Sequence, residues 1–102
     1  MKLPRFLAAA RQDVRSAVDF YNAEKPGLGR EFWWEIVACL QRIQENPRAW
    51  TDIGDGVRRC ITHRFPYGVL YMIHDDEPIV VAVMHVRRHP DSWRNRPEQD
   101  AG

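Results

Sequence analysis

The densest chemistry in the sequence lies near its C-terminus, in HVRRHPDSWRNR, His85 to Arg96. Arginine forks pair with phosphate or carboxylate oxygens, imidazoles move protons near neutral pH, and an interleaved tryptophan stacks on a base or another ring. The same composition suits capture of an acidic protein surface. It equally suits a solvated chain end in which Trp93 folds back onto a sheet while the arginines face water. Arg59 and Arg64 fall on or beside the same predicted sheet, so a phosphodiester-cleaving site without metal would draw on Arg59, Arg64, His85, Arg87 and Arg88. Spacing alone does not place these side chains on one face.

Other chemistries have less behind them. His63, His74 and His85 could meet on adjacent strands, but no HxH, HExxH or CxxC spacing accompanies them, so neither a metal nor another cofactor is expected. Cys39 and Cys60 read as buried thiols. Ser16 and Ser92 are the only serines, and neither stands in the strand-to-helix elbow of a nucleophilic hydrolase. Glu31 and Glu35, four residues apart, have the ordinary pattern of a solvated helix face rather than that of paired glycosidic carboxylates.

These residues need a scaffold, and the composition bounds it. At 102 residues and 44% hydrophobic, the chain suits one soluble globular domain. Fifteen basic and fourteen acidic residues leave a formal charge of +1, which argues against a nucleic-acid-coating polycation. The average hides a division. Residues 1–56 balance eight against eight, whereas 57–96 carry seven arginines against four carboxylates, and Glu98 and Asp100 follow. Thirteen of the fifteen basic residues are arginine, a bias toward planar pairing that high genomic G+C content also produces. No apolar run approaches the roughly 20 residues of a membrane span, and MKLPRFLAAARQD has a proline and early charges in place of a long apolar leader, so a cytoplasmic protein is expected.

Lys2 to Leu7 reads as a short edge strand, since Pro4 removes one backbone donor. From Ala8 to Lys25, Val14, Ala17, Val18 and Tyr21 recur at helical spacing until Pro26-Gly27 stops the helix. A second helix begins near Leu28, with Phe32, Ile36, Leu40 and Ile43 on one stripe, and ends at Asn46-Pro47. So short a connection makes an antiparallel hairpin. Arg48 to Gly56 reads as a loop. Val57–Arg64, Tyr67–His74 and Ile79–Val86 then form an antiparallel meander rich in Val, Ile and Tyr. The expectation is an α+β domain: a short N-terminal strand and an antiparallel helical hairpin packed on an antiparallel sheet of three further strands (β-α-α-β-β-β), over residues 1–96, with a C-terminal tail at 97–102. Phe32, Trp33 and Trp34 cannot all point at one core, because successive helical residues are about 100° apart. One tryptophan should stay partly exposed, packed under a loop or lining a groove for a partner helix.

Four stretches together carry a likeness: DVRSAVDFYNAEKPGLGREF (Asp13 to Phe32), the ENP turn (Glu45 to Pro47), RFPYGVLYMI (Arg64 to Ile73) and VAVMHVRRHPDSWRNR (Val81 to Arg96). In order and spacing the chain resembles the RelE/ParE family of type II toxin–antitoxin toxins, closer to its ParE-like, plasmid-stabilising members. The resemblance implies a small cytoplasmic toxin held inactive by a cognate antitoxin, ParD-like or another small DNA-binding protein, with operator DNA reached only through that antitoxin and no membrane involved. It also implies one of two targets: DNA gyrase, or the ribosome and its mRNA. Arg87 and Arg88 match the family's arginine after the last strand. No lysine follows Lys25, and Trp93 stands where a ribosome-dependent nuclease would want a titratable tyrosine. This departure favours gyrase inhibition over mRNA cleavage, although arginine can replace lysine as a phosphate clamp and His85 or His89 could supply acid/base function. The toxicity residues so implied are Arg87, Arg88, Trp93, Arg94 and Arg96, and the antitoxin-binding residues are Trp33, Trp34 and Tyr21.

Overall fold

A computed structural model describes residues 2–88 and 92–95. Strand β1 (Arg5–Phe6) leads into helices α1 (Ala8–Glu24) and α2 (Leu28–Glu45). Strands β2 (Asp52–Gly54), β3 (Val57–Ile61), β4 (Tyr67–His74) and β5 (Glu77–His85) follow, then a single 3₁₀ turn at Ser92–Asn95. The strand order is β1-β5-β4-β3-β2.

Two features correct the expected sheet. First, it has four strands after the hairpin, because part of the expected loop pairs as β2 with β3. Asp55 and Gly56 both have positive φ, the conformation of a two-residue hairpin turn, and Asp52 Oδ1 accepts the Gly54 N–H at 2.6 Å. Second, the sheet is mixed: β1 runs parallel to β5, with Arg5 opposite Ile79 and Phe6 opposite Val80, while every other pairing is antiparallel. Three reversals separate β2 from β5, and they return the last strand alongside the first in the same direction.

The helices meet closely because Gly29 lets them. A Cβ there would lie 2.6 Å from the Val18 carbonyl oxygen, and Asn22 Oδ1 accepts the Gly29 N–H at 2.8 Å. Phe32, Ile36, Cys39, Leu40 and Ile43 of α2 join Ala10, Val14 and Ala17 of α1 over Cys60, Val69, Tyr71, Val80 and Val83 of the sheet. Tyr71 reaches past α2 to donate its hydroxyl to the Pro47 carbonyl at 2.5 Å. A register shift between Leu70 and Tyr71 leaves Val81 as an extra residue on β5. Val80 and Val83 therefore both face the helices, while Val81, Ala82 and Met84 join Val57 and Leu70 on the other face. That second face is closed by Leu7, Ile53, Met72 and Trp93.

Candidate functional site

Strand β1 is so short that it pairs β5 only at Ile79 and Val80. Beyond it, α1 takes over the edge: Asp13 Oδ2 accepts the Val83 N–H at 2.9 Å. The diverging helix and strand leave a crevice of about 320 Å³, into which Asp13, Ser16, Phe20, Tyr67, His85 and Arg88 project among its walls. Tyr67 and His85 are there because β4 and β5 pair them directly, and their rings meet edge to face at 5.6 Å. The β3–β4 connection that aims Tyr67 inward is held at both ends. Thr62 Oγ1 donates to the Phe65 and Tyr67 carbonyls, and Glu35 accepts the backbone N–H of His63 at 2.9 Å. Behind Tyr67 stands an aromatic cluster, with Tyr21, Phe32 and Phe65 all within about 6 Å of one another's ring centres.

The crevice combines three chemistries. His85 Nδ1 accepts the Arg87 N–H at 3.0 Å, so the neutral ring carries its proton on Nε2. Burial raises the Tyr67 phenol above its ordinary value and Asp13 adds to the rise, while the Arg88 charge pulls the other way. Tyr67 thus stays a proton donor through neutral pH. A cation, an imidazole and a phenol around one opening suit an anionic or hydrogen-bonding group of a partner.

The remaining basic residues lie elsewhere. Arg59 is on the opposite face of the sheet, its Cγ and Cδ lying 3.0 Å from where a Cβ on Gly68 would be. Arg64 is paired with Glu31 at 2.7 Å, and its guanidinium sits 5.4 Å from the Phe65 ring centre. The five arginines and histidines considered for phosphodiester cleavage therefore do not form one cluster, since alternate residues of β3 point to opposite faces. The histidine trio is also separated: His74 and His85 cap opposite ends of the β4–β5 pair, and no group of three or more metal-ligating side chains occurs among the described residues. Glu31 and Glu35, read as merely solvated, each hold the β3–β4 connection. Trp93 is half-buried against the second face, and Arg94 stacks 4.8 Å over its ring while reaching Asp55 at 3.3 Å. Arg96 and His89 lie outside the described residues.

The model of the ParE toxin of the type II toxin–antitoxin system, parDE, matches residues 5–93. The chain belongs to the ParE toxin family. The matched span begins at β1 and ends at Trp93, so it contains the crevice and both covers of the sheet. A solved structure titled as the chromosomal ParDE toxin–antitoxin system from P. aeruginosa shares the fold, with a TM-score of 0.72 and 17% identity over 83% of this chain and 96% of that one. Comparison with curated proteins returned no match. No helix among the described residues is long and apolar enough to cross a membrane.

In this family member the exposed aromatics fall into separate places. Trp33, 37% exposed, lines a groove of about 540 Å³ between α1 and α2 with Val14, Val18, Arg15 and Arg30. Trp34 is 60% exposed, so both tryptophans of the run, rather than one, meet solvent. Tyr21 is half-buried in the aromatic cluster, 5.3 Å from Phe32. Phe20, 56% exposed at the mouth of the crevice, was not singled out from the sequence, and neither were Tyr67 and Asp13. The signal for Tyr67 was its place opposite His85, which depends on strand register.

Proposed function

We propose that this ParE-family chain is a cytoplasmic toxin that acts by binding: it inhibits DNA gyrase, and a cognate antitoxin neutralises it. The observation that carries this reading is the dispersal of the arginines. A nuclease needs its cations converging on one phosphate, whereas here Arg59 lies along one sheet face, Arg64 is tied to Glu31, and Arg87 and Arg88 stand exposed on the turn after β5. Exposed Arg88, lining the crevice with the open aromatic Phe20, suits contact with a large protein partner, where Arg and aromatic anchors contribute most. The groove beside Trp33, lined by Arg15 and Arg30 against a single carboxylate, Asp19, suits the acidic amphipathic segment of an antitoxin, through which alone the toxin would reach operator DNA.

One observation supports a second reading, a metal-independent, ribosome-dependent mRNA endonuclease. Tyr67, His85 and Arg88 do converge on the crevice, and they supply a phenol, an imidazole and a cation. The two readings part on induction without antitoxin. Gyrase-linked DNA breaks with intact mRNA are expected under the first. New codon-phased 5′ ends on ribosomes, lost in His85→Ala and Arg88→Ala, would establish the second and overturn the first.

A further inference from the structure

Away from the crevice, two sulfurs and a cation meet in the core. Cys39 on α2 faces the sheet and Cys60 on β3 faces the helices, both free thiols and both closed to solvent. Arg42, one turn beyond Cys39, bends back so that a single nitrogen, Nη2, lies 3.4 Å from Cys39 Sγ and 3.7 Å from Cys60 Sγ. Cys39 Sγ donates to the Cys60 carbonyl oxygen at 3.8 Å, which keeps the proton of the pair on Cys39. A guanidinium is always charged and presents donors only, so placing it against two sulfurs favours negative charge on them. Thiols that merely fill space pack among apolar groups and need no cation. The neighbouring Cys39 side chain lowers Cys60 to about 7, with Arg42 assisting against the opposing effect of burial. The Cys60 side chain, with burial, raises Cys39.

We propose that Cys39, Arg42 and Cys60 form an oxidation site for small hydroperoxides, whose product is a reversible disulfide between α2 and β3. In the first step the Cys60 thiolate attacks one peroxide oxygen. An S–O bond forms, the O–O bond breaks, hydroxide leaves, and Cys60 becomes a sulfenic acid as its sulfur gives two electrons to the peroxide. In the second, the Cys39 sulfur attacks Cys60 Sγ: the S–S bond forms, the S–O bond breaks, and the Cys39 proton leaves with the hydroxyl as water. The sum is one thiolate, one thiol and one hydrogen peroxide giving one disulfide, one water and one hydroxide. Arg42 is a positioning residue. It is only half-buried and touches both sulfurs through Nη2, so it is the partly exposed group in direct contact with them.

The test uses the folded full chain treated with hydrogen peroxide at neutral pH, then denatured, alkylated with N-ethylmaleimide and weighed. The expected product has lost two hydrogens, resists alkylation at both cysteines, yields a single Cys39–Cys60 cross-linked peptide and is restored by dithiothreitol. Cys39→Ser is expected to stop at a Cys60 sulfenic acid that dimedone traps. Arg42→Gln is expected to slow Cys60 oxidation about tenfold, with partial rescue in Arg42→Lys. Should these variants fail to fold, the wild-type product still decides. Two fully alkylatable thiols after methionine oxidation is complete, first attack at Cys39, or a disulfide found only between two chains would each overturn the proposal.

Discussion

The two faces of the sheet are both buried, but under covers of very different depth. On one, α1 and α2 lay Phe32, Ile36, Leu40 and Ile43 over Val69, Tyr71, Val80 and Val83. On the other, Val57, Leu70, Val81, Ala82 and Met84 are closed by Leu7, Ile53, Met72 and one indole, Trp93. Stability should therefore be concentrated under the helices. The thin cover depends on Trp93, which brings the described 3₁₀ turn against the sheet.

Substitutions on the two faces separate their contributions to stability. The largest effect is expected for Phe32→Ala, which opens a cavity under both helices and should cost about 3–5 kcal/mol in a denaturant titration. Gly29→Ala should cost about 2 kcal/mol, since its Cβ meets the Val18 carbonyl and forces the helices apart. Trp93→Ala, on a half-buried side chain, should cost about 1–2 kcal/mol. A loss equal to that of Phe32→Ala would show that the second face is not the thinner one. Arg94→Ala should cost less than about 1 kcal/mol, because the Asp55 partner is exposed.

The helix-covered face also makes a pH claim. Burial raises all three phenols, Tyr71 to about 12 against the pull of Arg58, and Tyr21 and Tyr67 by smaller shifts. A folded value above the unfolded one of about 10 stabilises the fold fully below pH 10, and that contribution is lost as pH rises toward 12. An alkaline absorbance titration should therefore show little phenolate near pH 10 and a cooperative rise with unfolding above it. Three independent titrations at the ordinary value would contradict the buried placement.

What the sequence revealed was what local spacing encodes. Both helices were legible to within a residue because their apolar stripes end at Pro26-Gly27 and at Asn46-Pro47, and β4 stands between two turns. Strand β2 escaped because three residues carry almost no period, although Asp55-Gly56 between Ile53 and Val57 is a hairpin signal. The parallel β1–β5 pairing joins residues more than seventy positions apart and leaves no local mark. The site was half legible for the same reason. The types of His85, Arg87, Arg88 and Trp93 flagged the C-terminal segment, but that Arg59 faces away and Tyr67 faces His85 follows from register, which the Val81 bulge shifts.

The proposal that the chain acts by holding gyrase is tested by a supercoiling assay with purified toxin and purified gyrase. Dose-dependent loss of supercoiling or accumulation of cleaved DNA is expected, weakened at least several-fold in the Arg87→Ala/Arg88→Ala double variant and abolished by the cognate antitoxin. Unimpaired supercoiling at toxin concentrations that arrest translation on purified ribosomes would contradict it.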